Sequence, residues 1–408
     1  MVVYIVKEAI SGHFTWLPNG WTFLKVVAGI TLVGLLKWYS AGRPNTAERT
    51  MHGKVVMVTG GTSGIGAAVV RDLAERGAQI VLLTHQPPSD MFVVDYVEDL
   101  RSQTGNLLIY AEQVDLSSLY SIRQFATKWI NNAPPRRLDM VILCAATLTA
   151  PGKPRFLTRE GLEETWMVNY LSNFHLLSIL SPAIRAQPPD RDVRIIFATC
   201  SSYLDSPQVE DGSVALKKKD WTPRKAYAMS KLALTIFGFA FQKHLDAYKR
   251  PDGMPTNTRV IFVNPGYSRT PGMRRWLTRG SLWGLAAYLA FWLGPWIILK
   301  SSEGGAQSVL YAAMEISLGR GAGGKLVKEC LEMDFARSDM NDETKAKKLW
   351  EGSEKLIERV EREEAVRRAL MKKEKEELEK SGKSSEKPDV VENEAGGKPK
   401  SRRQRKAK

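Results

Sequence analysis

The stretch VVMVTGGTSGIGAAVVRDLAERG, residues 55–77, decides the fold. It opens with apolar, mostly β-branched residues, which predict a buried strand, and it closes with the apolar spacing of an amphipathic helix. Gly60, Gly64 and Gly66 follow the strand, where glycine permits a tight turn and lets the backbone approach a pyrophosphate at the helix N-terminus. The residues of this turn that we expect to contact a dinucleotide are Gly60, Thr62, Ser63, Gly64, Ile65 and Gly66.

The same pattern continues from residue 51 to about residue 350 as short β-branched runs that alternate with amphipathic stretches. The stretches between the runs are long enough for crossover helices, which implies a parallel sheet covered on both faces. We therefore predict a single α/β domain with a Rossmann-like, doubly wound parallel sheet. The predicted strands are Val55–Thr59, Ile80–Leu83, Leu107–Gln113, Met140–Leu143, Arg194–Thr199 and Arg259–Val263, followed by a helix over Gly304–Met314 and a last strand over Lys325–Glu329.

Composition excludes several classes of protein. The 408 residues are 43% hydrophobic and 25% charged, so the chain has ample apolar material for a core. The three cysteines are too few and too scattered for a disulfide framework or a zinc site, and the histidines show no ligand spacing, so we expect no metal. Seven of the positive charges behind the net charge of +15 lie in Lys398–Lys408, which makes the total poor evidence for a nucleic-acid partner.

Residues 21–39, WTFLKVVAGITLVGLLKWY, carry charges only at Lys25 and Lys37, near the two ends. A helix of this length, at about 1.5 Å per residue, covers most of a hydrocarbon core of about 30 Å. No small-residue cleavage site follows, so we predict a retained membrane anchor after an N-terminal segment, residues 1–20; the alternative is an apolar helix docked on the domain. The basic residues after the anchor outnumber those before it, which puts the domain in the cytosol.

A second apolar block, residues 281–299 (SLWGLAAYLAFWLGPWIIL), lies inside the domain and is flanked by arginines. The predicted elements after it belong to the same sheet, so the block cannot be a single membrane crossing. We predict an interfacial or re-entrant segment near the substrate entrance, with a buried helix as the alternative.

The C-terminal extension is charged. Residues 341–380 are helix-prone with sparse apolar positions, which predicts a solvated helix. Residues 381–408 have the composition of a disordered basic tail, which can be simply solvated, contact anionic lipid or, least favoured, contact nucleic acid.

A tyrosine and a lysine four residues apart, Tyr227 and Lys231 in YAMSK, share one face of a predicted helix. They follow a predicted strand that runs into Cys200, Ser201 and Ser202. Together with the glycine spacing, this order resembles the short-chain dehydrogenase/reductase superfamily. Later stretches such as GGAQSVLYAA and GGKLVKEC resemble its retinol-dehydrogenase-like branch, and with the predicted anchor the chain looks like a membrane-anchored oxidoreductase of fungal type. The first 45 residues and the basic tail show no such match.

The resemblance implies further site residues. Asn169 in VNYLSNFHLL matches the catalytic asparagine, and Asp115 in VDLSS matches an aspartate on the adenine side of the cofactor. Pro265, Gly266 and Thr270 in NPGYSRTPG match the loop that closes over the nicotinamide.

The implied mechanism assigns a role to each catalytic residue. Tyr227 exchanges a proton with the substrate oxygen, and Lys231 lowers the pKa of the phenol from its ordinary value near 10. A serine holds that oxygen: Ser201 or Ser202, of which we favour Ser202. Asn169 positions a water on the proton path.

The family's Asn-Ala-Gly after the fourth strand reads Cys144-Ala145-Ala146 here, a departure that loses an asparagine supporting the central sheet. Cys200, beside the serines, can be a reactive thiol or simply a buried one. The departure leaves open an alternative in which the chain is a non-catalytic nucleotide-binding scaffold at a membrane surface.

The end of the second strand, Thr84-His85-Gln86, lacks the acid that binds the ribose 2′-hydroxyl of NAD. A 2′-phosphate is therefore not repelled, and His85 can contact it, so we predict NADP(H) as the preferred cofactor and NAD(H) as possible. The anchor indicates a lipophilic carbonyl or alcohol as substrate, of the retinoid, sterol or long-chain lipid class. We expect an endoplasmic-reticulum or lipid-droplet membrane as the location and a homo-oligomer as one possible state.

Overall fold

An eight-stranded sheet lies at the centre of the computed structural model, which describes residues 20–207, 216 and 218–384. The strands are β1 Val55–Thr59, β2 Gln79–Thr84, β3 Ile109–Gln113, β4 Met140–Leu143, β5 Val193–Ala198, β6 Thr258–Asn264, β7 Lys325–Lys328 and β8 Leu331–Met333. Their order across the sheet is β3-β2-β1-β4-β5-β6-β7-β8, and only β8 is antiparallel to its neighbour. The predicted α/β class and Rossmann-like sheet are confirmed.

Helices cover both faces of the sheet, as the continuous apolar runs of the inner strands require. On one face α2 packs against α3 and α10, and on the other α5 packs against α4 and α6. The helices are α1 Gly20–Ala41, α2 Gly64–Glu75, α3 Met91–Thr104, α4 Leu119–Ile130, α5 Ser172–Arg185, α6 Pro223–Asp246, α7 Pro271–Leu277, α8 Leu282–Ala290, α9 Leu293–Ile298, α10 Ser302–Met314 and α11 Glu343–Ser384.

The strand order reverses at β1, which pairs with β2 on one side and with β4 on the other. In sheets of this type ligands bind outside the carboxyl ends of the strands at such a switch point. All residues of β1 and of β4 are buried, so these two strands fix the position of the loops that follow them.

The two apolar segments are exposed. Among the described residues, one helix, Trp21–Ala41, is long and apolar enough to cross a membrane, and none of its apolar window is buried. The second block forms α8 and α9, and among their residues, all of which are described, none is buried. The alternative of a buried helix for this block is therefore wrong.

The chain divides into two compact units, residues 1–359 and 360–408. Within the first unit the beginning of α11 is not solvated as predicted: Leu349, Ser353 and Ile357 are buried, and the hydroxyls of Ser353 and Tyr170 hydrogen-bond at 2.8 Å. A sparse apolar pattern suffices here because a polar pair completes the contact.

In the second unit the described part is the charge-dense remainder of α11, in which Arg367 and Glu364 pair at 3.1 Å. The helix continues to Ser384, slightly beyond its predicted end at Lys380. The predicted N-terminal segment up to residue 19 and the basic tail from residue 385 onward lie outside the described residues.

Candidate active site

The turn between β1 and α2 has the geometry of a phosphate cradle. Gly60 adopts a left-handed φ of 68°, and a Cβ on it would lie 2.8 Å from the backbone of Ala145. A Cβ on Gly66 would lie 2.2 Å from the carbonyl oxygen of Gly60. Side chains are thus excluded from both positions, and the first N–H groups of α2 face the turn without helical partners. Ser63 precedes the helix, and its hydroxyl makes no capping bond, so it remains available to a phosphate. The turn fits a dinucleotide pyrophosphate.

The two residues predicted on the adenosine side, His85 and Asp115, meet where β2 and β3 end. The Nδ1 atom of His85 lies 3.3 Å from the Oδ1 atom of Asp115. The same carboxylate oxygen accepts hydrogen bonds from the backbone N–H and the hydroxyl of Ser117, at 2.8 and 2.7 Å. The His85 side chain is 71% exposed, so it can turn toward a ribose or its phosphate.

The loop after β6 approaches the glycine turn from the other side. The Asn264 side chain accepts a hydrogen bond from the backbone N–H of Gly266 at 3.0 Å and thereby shapes the Pro265–Gly266 corner. A Cβ on Gly64 would lie 3.1 Å from the Cγ2 atom of Thr270, which places this threonine against the turn. Ile65, in contrast, directs its side chain toward Gly305 in α10, so only its backbone faces the predicted cofactor site.

Tyr227 and Lys231 lie on α6, which begins with Thr222 as N-cap and Pro223 in the first turn, a favourable helix start. Lys231 is buried, its Nζ atom donates to the carbonyl oxygen of Ala198 at 2.9 Å, and it lies 5.7 Å from the centre of the Tyr227 ring. Desolvation lowers the pKa of Lys231, against the opposing effect of Cys200 and Cys144. The structure thus brings the predicted pair together at the carboxyl end of β5.

The pKa of Tyr227 is raised well above 10, chiefly by desolvation and further by the Cys200 thiol beside the phenol. Burial sets the direction of this shift, and the Lys231 ammonium donates to the Ala198 carbonyl; a lowering of the Tyr227 pKa by Lys231 stays a prediction. The phenol is protonated at neutral pH and can donate a proton.

The residue in contact with the phenol is a cysteine. The Cys200 thiol donates to the Tyr227 hydroxyl at 3.8 Å and lies 2.7 Å from the Ser202 hydroxyl. Ser201 is turned away, since its hydroxyl accepts a hydrogen bond from the Asn264 Nδ2 at 2.9 Å. The sequence predicts Ser201 or Ser202 for this position and leaves Cys200 open as a reactive or a buried thiol. Ser202, the favoured serine, is thus hydrogen-bonded to the Cys200 thiol and not to the phenol.

The Asn169 side chain connects two segments of the site by hydrogen bonds. It lies in a π-helical turn, Met167–Leu171, and is fully buried. Its Nδ2 donates to the Thr147 carbonyl at 3.0 Å and to the Ser230 hydroxyl at 3.1 Å, and its Oδ1 accepts from the Thr147 N–H at 2.8 Å. Single π turns are often found at functional sites. Here the amide ties the segment after β4 to α6, one residue before Lys231.

The Cys144-Ala145-Ala146 departure leaves this framework intact. The Ala145 N–H donates to the Thr59 hydroxyl at 3.2 Å, which joins the ends of β4 and β1 without an asparagine. Desolvation raises the pKa of the Cys144 thiol to about 12, so it is protonated and inert at neutral pH.

A pyrophosphate cradle, a buried tyrosine–lysine pair and a thiol–hydroxyl pair on one edge of a doubly wound sheet define a nicotinamide-dependent oxidoreductase of the short-chain type. A family model described as short chain dehydrogenase matches residues 54–207. The chain belongs to the short-chain dehydrogenase/reductase family and is an NAD(P)-dependent oxidoreductase.

Two relatives and one solved structure are similar to it. An uncharacterised oxidoreductase of Schizosaccharomyces pombe is 41% identical over 89% of this chain and 97% of its own length. Retinol dehydrogenase 13 of Mus musculus is 32% identical over 81% of this chain and 92% of its own length. The crystal structure of an uncharacterised protein from Mycobacterium paratuberculosis covers 78% of this chain and 98% of that chain with a TM-score of 0.55 and 23% identity, a likeness of fold.

Proposed function

We propose that the protein is a membrane-associated, NADP(H)-preferring oxidoreductase that acts on a lipophilic carbonyl or alcohol of the retinoid, sterol or long-chain lipid class. The observation that carries the proposal is the buried Tyr227 side chain, whose hydroxyl contacts the Cys200 thiol and whose ring centre lies 5.7 Å from the Lys231 ammonium.

The bound cofactor supplies or accepts the hydride. In the reducing direction Tyr227 gives its proton to the carbonyl oxygen, and the product is an alcohol. Ser202 and Cys200 hold that oxygen by hydrogen bonds, and Lys231 and Asn169 fix the helix face that carries the tyrosine. The glycine turn, Thr62, Ser63, Asp115 and Thr270 would hold the cofactor.

The preference for NADP(H) is supported by the end of β2. No acid follows Thr84, and the side chain there that can reach a ribose phosphate is the exposed His85. An acid at this position would accept hydrogen bonds from the 2′-hydroxyl and repel the 2′-phosphate.

The substrate class and the location are supported by the anchor helix and by similarity to a relative named for retinol, a lipophilic alcohol. Such substrates partition into bilayers, so an anchored enzyme meets them at high local concentration. We place the protein at an endoplasmic-reticulum or lipid-droplet surface with the domain in the cytosol, and we include a homo-oligomer in the proposal.

The test uses the full-length protein in detergent. Oxidation of NADPH and of NADH would be followed against retinoid, sterol and long-chain aldehydes or ketones, for the wild type and Tyr227→Phe. We expect turnover with NADPH that is lost in the variant while nucleotide binding persists. Binding without turnover on any member of the panel would overturn the substrate class and favour the scaffold alternative, and failure to bind either nucleotide would overturn the whole proposal.

A further inference from the structure

The apolar block leaves and re-enters the domain at one place. After β6 the chain passes Ser268 and Arg269, runs through α7, α8 and α9, and returns at Lys300. Ser268 forms a β-bridge with Lys300, the Lys300 N–H donates to the Tyr267 carbonyl at 3.0 Å, and the Arg269 N–H donates to the Lys300 carbonyl at 2.8 Å. Residues 271–299 therefore form a segment whose two ends are held together at the loop after β6, the loop that approaches the cofactor turn.

This segment exposes apolar side chains to solvent. We name residues 281–299 the apolar hairpin. Trp283 is 89% exposed, Phe291 76% and Ile298 70%, and α8 and α9 contain no buried residue. An apolar surface of this extent marks an interaction site, because it would be unfavourable in water.

The anchor helix fastens to the hairpin. The Lys37 Nζ atom donates to the carbonyl oxygens of Trp296 and Leu299, at 2.7 and 3.4 Å, and the Ser40 hydroxyl donates to the Ile297 carbonyl. The last turn of α1 thus satisfies carbonyl groups at the end of α9, where a cation is favoured. The anchor and helix α9 of the hairpin are therefore in direct contact.

Positive charge lies at the base of the hairpin. Arg274, Arg275 and Arg279 are exposed and directly precede it in the chain. Guanidinium groups next to an apolar insertion suit the phosphates of a bilayer surface. The order of charged base and apolar tip fits a lipid leaflet better than a second protein copy.

We propose that the apolar hairpin inserts into the membrane beside the anchor and forms the lipid-facing edge of the substrate entrance. Helix α8 has nine residues and is about 14 Å long, less than half of a hydrocarbon core of about 30 Å, so the hairpin enters one leaflet and returns on the same side. The insertion is inferred from the exposed apolar surface, the neighbouring arginines and the contact with the anchor; the role of the hairpin as substrate entrance rests on the proposed function.

Insertion is tested on the full-length protein in phosphatidylcholine vesicles. Tryptophan fluorescence would be quenched by lipids brominated near the glycerol end or near the methyl end of the acyl chain. The difference between the wild type and Trp283→Phe reports Trp283, and the difference for Trp129→Phe reports a tryptophan that is 2% exposed on α4. We expect quenching of Trp283 and none of Trp129. Equal quenching of the two, or none of Trp283, overturns insertion whatever the enzyme acts on.

The entrance is tested by Trp283→Glu. The control is Met254→Glu, which changes a 53% exposed apolar residue before the amino end of β6, whereas the loop that leads to the hairpin follows the carboxyl end of that strand. We expect Trp283→Glu to raise the KM for a long-chain aldehyde in vesicles about tenfold or more, because a carboxylate resists entry into hydrocarbon. The KM for a water-soluble short aldehyde should stay unchanged, as should both values for the control. Equal effects on both substrates overturn the entrance. Absence of turnover by the wild type would refute the proposed function instead and leave the quenching result standing.

Discussion

Replacing Cys200 tests the assignment of the thiol beside Tyr227. The Cys200 thiol is the group the structure places against the phenol, at 3.8 Å, with the Ser202 hydroxyl 2.7 Å beyond the sulfur. A thiol is a weak donor, and a typical hydrogen bond contributes about 1 kcal/mol net. We therefore expect Cys200→Ala to lower kcat by roughly fivefold to tenfold, whereas Cys200→Ser, which restores a donor, should keep kcat near the wild-type value.

Alkylation gives a second measurement on the same residue. Desolvation raises the pKa of Cys144 to about 12, so at pH 8 about one molecule in ten thousand carries that thiolate. Desolvation also raises the pKa of Cys330. Both are therefore poor nucleophiles toward N-ethylmaleimide, and Cys200 should be the thiol whose modification blocks the site.

The assay is the loss of NADPH-dependent turnover after treatment with N-ethylmaleimide, with mass spectrometry to locate the adduct. The wild type should lose activity, a saturating cofactor should slow the loss, and Cys200→Ser should resist. Inactivation of Cys200→Ser at the wild-type rate would show that the essential thiol lies elsewhere. Full activity of Cys200→Ala would remove the residue from the mechanism.

Three further predictions follow from other contacts. Gly66→Ala should abolish nucleotide binding in a calorimetric titration, since its Cβ would lie 2.2 Å from the Gly60 carbonyl oxygen; retained binding would contradict the cradle. Because the pKa of Tyr227 is raised, carbonyl reduction should stay constant up to about pH 9; a rate that falls with a midpoint near neutrality would indicate a different acid. Burial raises the pKa of Asp139, but hydrogen bonds from Arg137 and the Val55 backbone outweigh this effect, and the folded pKa is lowered overall. The ionised carboxylate therefore stabilises the fold at pH values above its ordinary pKa of about 3.9. This stabilisation is lost as the pH falls through the lower pKa of the folded state. Asp139→Asn should therefore cost about 3 kcal/mol in urea unfolding at neutral pH and reduce the loss of stability on acidification; an unchanged acid response would refute the assignment.

The sheet and the cofactor turn could be predicted from the sequence because local patterns determine them. Buried parallel strands are continuous β-branched runs, so all six strands expected up to β6 were found within about two residues of their predicted limits. The glycine turn is equally local. The short strand β8 was not predicted, because Leu331–Met333 is exposed and contains no β-branched run.

The parts that could not be predicted depend on contacts between distant residues. The start of α11 packs through a hydrogen bond between Ser353 and Tyr170, which are 183 positions apart. The anchor meets the hairpin through Lys37 and Trp296, 259 positions apart. In both cases the sequence shows only an ordinary polar residue in a helix.

The choice among Cys200, Ser201 and Ser202 after β5 could not be made from the sequence, because it depends on contacts between distant segments. The site depends on three segments meeting: the end of β5, which carries Cys200, the face of α6, and the segment after β4. The Asn169 amide joins the last two through Thr147 and Ser230, while Lys231 joins α6 to Ala198 at the end of β5. Desolvation raises the pKa of Tyr227, so the phenol stays protonated at neutral pH. The contacts that assemble the site therefore also bury the phenol and keep it protonated, and carbonyl reduction draws its proton from this form.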